Sequence, residues 1–232
     1  MMLDRRTVLA GFASLAAPGI AAAEDANSPI AHGLLAQNPL AQAFESAPHD
    51  LPDVTLYGPK GPRSISTILG RTILMPLWAE WCGPCLEELP DFARLQKKYG
   101  NNKFAIVPVL SGPRKRVSPE VLAKIFAYLH ADVFEPLMED NLGNQLMAGL
   151  ARRRANEMEI PCNVLIAPDG HVVAREFGMK SNESLAPPAG VSAAQTKSAM
   201  IAQAEAGNSL SLWGKQPGDE FAQAMANGFL TG

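Results

Sequence analysis

Hydrophobic positions change their spacing several times along the chain, and each change marks an element. The run Thr72-Ile73-Leu74-Met75-Pro76-Leu77-Trp78 is almost unbroken in bulky or β-branched side chains, the composition of a strand buried on both faces. From Leu86 to Tyr99 the apolar groups recur at helical spacing, at Leu86, Leu89, Phe92 and Leu95. Phe104 to Leu110 predicts a second strand, and Ser118-Pro119-Glu120 predicts a helix start ahead of Leu122, Ile125, Phe126 and Leu129. Phe134 to Met138 reads as a short strand, and Leu142, Leu146 and Leu150 share one helical face. The tail from Asp219-Glu220-Phe221-Ala222 onward predicts a closing helix that turns Phe221, Met225 and Phe229 inward. Alternation of strands and helices, with two strands in succession near the end, predicts an α/β fold: a central mixed β-sheet flanked by helices.

The chemistry sits where the first strand gives way to the first long helix, in Trp78-Ala79-Glu80-Trp81-Cys82-Gly83-Pro84-Cys85. Pro84 suits the first turn of a helix, where its missing N–H would have had no intrahelical partner. Free amides and the positive end of the helix dipole then face Cys82, which lowers a thiol pKa from about 8.5 into a range of roughly 3.5–7.5. Cys82 is therefore the expected nucleophile. Cys85, one turn further in and expected to be less exposed, is placed to resolve a mixed disulfide. Half of a zinc site is the rival reading of this spacing, but a closed tetrahedral site needs two more ligands. The third cysteine is Cys162, and His32, His49, His130 and His171 show no paired ligand spacing. No metal and no cofactor are expected.

The segment from Trp78 to Cys85 resembles the active-site segment of thioredoxins. Ile160-Pro161, the apolar run Val164-Leu165-Ile166-Ala167, the turn Pro168-Asp169-Gly170 and Val172-Val173 resemble the cis-proline loop, strand, turn and strand of the same fold. The resemblance covers roughly Leu51 to Gly178, with a final piece near Trp213 to Leu230. Leu51-Pro52-Asp53, Glu88-Leu89-Pro90 and the long stretch between Cys85 and Pro161 are more similar to the TlpA type, which includes periplasmic thiol reductases. The resemblance implies a thioredoxin fold with an inserted αβ unit between the active-site helix and the cis-Pro loop. It further implies that Trp81, Gly83, Pro84, Ile160 and Pro161 contact the substrate, with the backbone of Ile160 pairing with it as an added strand.

Three positions depart from the pattern or qualify it. Pro76 stands where many thioredoxins have a buried aspartate, and its missing N–H requires either a bulge or an amide position turned away from pairing. Glu88 is the substitute proton carrier that the TlpA resemblance implies; the alternative is an ordinary surface carboxylate early in a helix. Cys162 follows Pro161 where threonine is common. It reads as a small buried hydrophobe, as a third redox thiol, or as a soft ligand that joins Cys82 and Cys85 around Cu(I).

At the N-terminus, Asp4-Arg5-Arg6-Thr7-Val8-Leu9-Ala10 and Ala21-Ala22-Ala23 resemble a twin-arginine export signal, with cleavage expected after Ala23. The apolar part is too short and too broken by Pro18 and Gly19 to span a membrane comfortably. The domain reading is a signal peptide at 1–23, an N-terminal arm at 24–48 and a thioredoxin-like domain at 49–232, with an extra Ala/Ser/Gln/Pro-rich surface segment at 181–210. A net charge of −3 over 232 residues argues against nucleic acid. Arg114-Lys115-Arg116 and Arg152-Arg153-Arg154, the second on a predicted helix, are local basic clusters: solvated faces, or docking points for an acidic partner. No repeat, Gly-rich phosphate loop or catalytic serine arrangement is present in the sequence.

These readings predict an exported, periplasmic thiol-disulfide oxidoreductase that reduces protein disulfides. Its expected partners are disulfide-bearing proteins, such as apocytochrome or copper-site clients, and a membrane thiol-relay electron donor. A monomer is expected, with membrane attachment only if the signal stays uncleaved. Disulfide oxidase or isomerase, and Cu(I) chaperone, are the alternative uses of the same cysteines.

Overall fold

The computed structural model describes residues 28–47, 50–139, 144–154, 157–178, 209 and 211–230. The expectations for the signal peptide, for most of the segment 181–210 and for Leu142 lie outside these residues. Among the described residues no helix is long and apolar enough to cross a membrane.

The fold is built around β4 (Thr72–Trp78), all seven of whose residues are buried. On one side β10 (Cys162–Ile166) pairs antiparallel with it, followed by β11 (Val172–Phe177) and the two-residue β1 (Glu45–Ser46). On the other side β5 (Phe104–Ile106) and β6 (Val109–Leu110) run parallel to β4, then come β7 (Leu137–Met138) and the hairpin of β2 (Thr55–Gly58) and β3 (Gly61–Ser64). The sheet is mixed and, among the described residues, nine-stranded. With its flanking helices it has the expected α/β architecture, a central mixed sheet covered by helices.

The central strands of the sheet separate two apolar layers. Leu74 and Trp78 of β4 face a core formed with α1 (Pro39–Ala43), α2 (Gly83–Tyr99), α3 (Pro119–Tyr128) and α5 (Gln216–Ala226). Ile73, Met75 and Leu77 face a second core closed by α4 (Gln145–Leu150) and the turn Ile65–Ile68. Period-two alternation in β4 thus feeds two layers rather than one wet and one dry face.

Three expectations about these elements are corrected. The strand read over Phe104 to Leu110 is two strands, interrupted at Val107 and Pro108. Leu74 and Trp78 accept hydrogen bonds from Val107 N–H and Ser111 N–H, both at 2.9 Å. Alternate residues of a strand point their N–H and C=O to the same neighbour, so Pro76 turns its missing donor towards that interruption. Two prolines face a gap that neither could have filled, and no bulge in β4 is needed. The strand read over Phe134 to Met138 is confined to Leu137–Met138. Arg152–Arg154, expected on a helix, forms β8 and pairs antiparallel with β9 (Glu157–Met158), because α4 ends at Leu150 and nothing apolar continues its face.

The segment read as an N-terminal arm is, over residues 30–46, part of the fold. Ile30, Leu35, Leu40 and Phe44 are at most 2% exposed, and β1 extends the sheet. Its periodicity is weak because α1 has only five residues and the turn Gly33–Leu35 three. Phe44 packs on Phe221 at 5.4 Å between ring centres and edge-on to Trp213 at 6.3 Å; Phe92 of α2 meets Trp213 at 5.1 Å. This aromatic knot clamps both ends of the described chain onto the helix that carries the cysteines, by area burial and ring geometry together. In α5, Phe221 and Met225 are buried as expected, and Phe229 beyond it stacks on His32.

Candidate functional site

β4 ends at Trp78, and α2 starts at Gly83, so Ala79 to Cys82 form the short connection at one end of the sheet. Cys82 is the N-cap of α2: its backbone is extended, and its Sγ accepts the N–H of Cys85 at 3.3 Å. Pro84 lies in the first turn, as its fixed φ and missing donor dictate. Cys82 and Cys85 are joined in a disulfide. Their exposures are 4% and 3%, so the expected difference between nucleophile and resolving thiol is absent in this oxidised state. Trp81, Gly83 and Pro84 are exposed around them and form the rim of the site.

The register of β10 on β4 pairs Cys162 with Leu77, which brings Ile160 and Pro161 level with the start of the active-site connection. The Ile160–Pro161 bond is cis. Pro161 C=O accepts the N–H of Gly178, fixing the loop to the end of β11. The structure therefore gathers Trp81, Cys82, Gly83, Pro84, Cys85, Ile160 and Pro161 at one end of the sheet.

Beneath the dithiol lies a buried polar layer. Glu88, one turn beyond Cys85 on α2, is 1% exposed, so the reading of a surface carboxylate is excluded. Ser211 Oγ donates to Glu88 Oε1 at 3.4 Å, while Glu88 Oε2 and Asn163 Oδ1 are buried without a hydrogen-bond partner among the described residues. Asn163 Nδ2 donates to Glu176 Oε2 at 2.7 Å. Asp91, the next turn of α2, accepts from Ser209 Oγ at 2.5 Å. A Cβ on Gly214 would overlap Asp91 and Ser209, so only glycine fits there.

Burial raises the Glu88 carboxyl well above the ordinary range, and the charges of Glu176 and Asp91 raise it further. Burial likewise lifts Asp91 to about 7, against the hydrogen bond from Ser209 and the nearby Arg94 guanidinium. At Glu88 and Asp91 burial thus favours the neutral acid over the carboxylate.

Asn163, Glu176, Asp91, Ser209 and Ser211 were not singled out from the sequence. The register shows why they matter: Pro76, Asn163 and Glu176 stand side by side on β4, β10 and β11. Two carboxyls, Glu176 on β11 and Glu88 on α2, therefore lie in the layer where Pro76 offers none. Strand parity holds the only local signal, since Asn163 alternates in phase with Leu165, and Glu176 with Ala174, which both face the dithiol-side core.

Cys162 lies on the other side of the sheet. It is 0% exposed among Met75, Leu77, Val164 and Leu150, and its thiol faces the Leu150 carbonyl at 3.9 Å. Burial pushes its pKa up, the reverse of activation. The reading of Cys162 as a small buried hydrophobe fits this setting; the third redox thiol and the shared Cu(I) ligand do not, because β10 separates its side chain from Cys82 and Cys85. Among the described residues no cluster of three or more His, Cys, Asp or Glu could hold a metal ion.

Loop residues 112–116 close over one edge of the site. Trp81 Nε1 donates to Gly112 C=O at 3.2 Å, and the Arg114 guanidinium lies 4.9 Å from the centre of the Trp81 ring. Arg114 N–H donates to Glu80 Oε1 at 2.8 Å.

No family model matches the chain. Over 93 residues it is 32% identical to "Thioredoxin-like protein YneN" of Bacillus subtilis, covering 40% of this chain and 52% of that protein. Over 58 residues it is 38% identical to the thioredoxin of Coprinus comatus, covering 25% of this chain and 53% of that protein. The chain thus spans about half the length of these curated relatives. Solved structures similar to it include the exposed lipoprotein thioredoxin Etrx1 of Streptococcus pneumoniae, at 23% identity and a TM-score of 0.44, over 56% of this chain and 91% of that one. A thiol:disulfide interchange protein of Chlorobium tepidum is 20% identical with a TM-score of 0.44, over 56% of this chain and 86% of that one.

Proposed function

We propose that this chain, thioredoxin-like in fold and in sequence around its dithiol, is a thiol-disulfide oxidoreductase that reduces protein disulfides through Cys82 and Cys85. The observation that carries the reading is Cys82 in the N-cap of α2, bonded to Cys85, at the same sheet end as cis-Pro161 and above a buried Glu88.

In the reduced protein, first-turn amides and the helix dipole favour the Cys82 thiolate. That thiolate attacks a client disulfide, forms a mixed disulfide and releases the first client sulfur as a thiolate, which takes a proton from solvent. Cys85 then loses its proton, attacks Cys82 and releases the second client thiol, leaving the Cys82–Cys85 disulfide. Two electrons pass from the dithiol to the client.

Glu88 serves the buried half of this cycle. When a donor reduces the Cys82–Cys85 bond, Cys85 leaves as a thiolate in an apolar setting, and a neutral Glu88 carboxyl one turn away can supply its proton. In the forward direction the same carboxylate takes that proton back. A carboxyl with a raised pKa is suited to this exchange because its proton affinity approaches that of a thiol.

Export by the twin-arginine-type segment at 1–23, work in the periplasm, a membrane thiol-relay donor and a TlpA-type assignment belong to the same proposal; the Arg5-Arg6 pair ahead of an apolar stretch, and Glu88-Leu89-Pro90, support it. Gly83-Pro84 between the cysteines favours a reductant, since thioredoxin lies near about −270 mV and the strongly oxidising DsbA near about −120 mV. Equilibration with glutathione followed by thiol trapping tests the direction. A potential near the thioredoxin end is expected; one near the DsbA end replaces the reductase with an oxidase.

A further inference from the structure

The loop that closes over Trp81 carries three successive cations, Arg114, Lys115 and Arg116, all exposed, on a chain whose net charge is −3. It is pinned beside the dithiol by the indole N–H of Trp81 on Gly112, by the Arg114 guanidinium over the Trp81 ring, and by the Arg114 backbone on Glu80. The last contact places one Glu80 carboxylate oxygen on a backbone N–H, so this acid is tied into the anchor. Glu120, at the start of α3, is the next acid along the chain, and its carboxyl is held low by Ser118. Solvated basic runs elsewhere on a surface have no fixed place relative to a reacting group. Here the indole fixes the place, within one residue of Cys82.

A client whose disulfide reaches Cys82 lies next to Trp81 and so beside this loop. Cations within a few ångströms of the approach path raise the encounter rate of an acidic segment and lower that of a basic one. We propose that the Arg114–Arg116 loop is a docking surface that selects clients with acidic residues beside the reactive disulfide. The inference rests on the thiol-disulfide reading of Cys82 and Cys85 given above.

The test uses the full-length reduced protein and three disulfide-bridged peptides that differ only in whether Glu, Gln or Lys flanks the cystine. In each reaction the dithiol gives two electrons and two protons, yielding two peptide thiols and the Cys82–Cys85 disulfide. At low ionic strength the Glu peptide is expected to react about tenfold faster than the Lys peptide, with Gln between them. In about 0.5 M salt the three rates converge to within about twofold. Lys115→Gln/Arg116→Gln removes the preference, and Lys115→Glu/Arg116→Glu reverses it; the Glu-to-Lys rate ratio is read within each protein, so differences in folding yield cancel.

Equal rates for the three peptides, a preference that survives salt, or a ratio unchanged in both variants overturns the docking surface while leaving the redox reading intact. A Gln peptide that is not reduced at all overturns the redox reading, and the inference with it.

Discussion

The two faces of the sheet treat the same side chain in opposite ways. On one face Cys82 and Cys85 sit at a helix N-terminus above carboxyls, amides and hydroxyls; on the other, Cys162 sits among Met75, Leu77 and Val164 with one carbonyl at 3.9 Å. All three cysteines are less than 5% exposed, so burial alone does not separate them. What separates them is what faces the sulfur: backbone N–H groups and the dipole end favour a thiolate, whereas an apolar layer favours the neutral thiol. β10 makes the partition physical, because Cys162 and Asn163 are consecutive and point to opposite layers.

The largest expected effect breaks this comparison directly. Cys82→Ser should lower disulfide reduction by about a thousandfold or more, because serine cannot form the mixed disulfide, whereas Cys162→Ser should leave the rate within about twofold. Insulin reduction measured on both variants decides it. If the Cys162 variant loses activity in proportion while keeping its melting temperature, the far face takes part in the chemistry.

The next effect concerns the polar layer. Folding raises the Asp91 pKa from 3.8 to about 7, so the folded state holds a proton that the unfolded chain releases. The stabilisation is therefore complete below about pH 4 and is lost as pH rises through about 7. At about 1.4 kcal/mol per unit, the shift corresponds to roughly 4 kcal/mol at most. Asp91→Asn should flatten the loss of stability between pH 4 and 7 in urea titrations, and an unchanged slope would show that Asp91 is ionised throughout. Glu88 shifts in the same direction and adds to the slope in wild type.

A smaller effect is expected for Glu88→Gln, which keeps size and hydrogen bonding but carries no exchangeable acid proton. The pH profile of Cys85 alkylation should shift, with reactivity near neutral pH changing by about tenfold. Stability should rise slightly towards alkaline pH because a buried acid is gone. A profile superimposable on wild type removes Glu88 from proton handling. Smallest of all, Cys162→Ala should cost about 1 kcal/mol by leaving a methyl-sized gap in the far core, read from the urea midpoint.

Local signals carried the dithiol, and non-local ones did not. β4 was legible residue for residue because its apolar run ends where Ala79 and Glu80 begin, and the start of α3 was legible because Ser118 and Pro119 form a capping pair. Glu88 could be singled out through the TlpA resemblance of Glu88-Leu89-Pro90. Asn163 and Glu176 could not be joined to it, because only tertiary pairing brings β10 and β11 beneath α2 and a lone Glu in Ala174-Arg175-Glu176 reads as surface; Asp91, one turn beyond Glu88 on α2, reads as an ordinary helical carboxylate until Ser209 and Gly214 are seen to enclose it. The N-terminal segment was misread for a related reason: Phe44 is fixed by Trp213 and Phe221, aromatic partners from the opposite end of the sequence. Pro76 and Pro108 were each visible, but only the register shows that they face one gap.

The seclusion of Cys162 also equips the molecule with a built-in clock for its own opening. With Cys82 and Cys85 locked together, the remaining sulfhydryl of this three-cysteine chain can meet a labelling reagent only when the strands around it come apart. The labelling half-life of the oxidised protein should therefore track wholesale unfolding rather than breathing at the surface. Comparing that half-life before and after reduction would show how far electron loading loosens the scaffold.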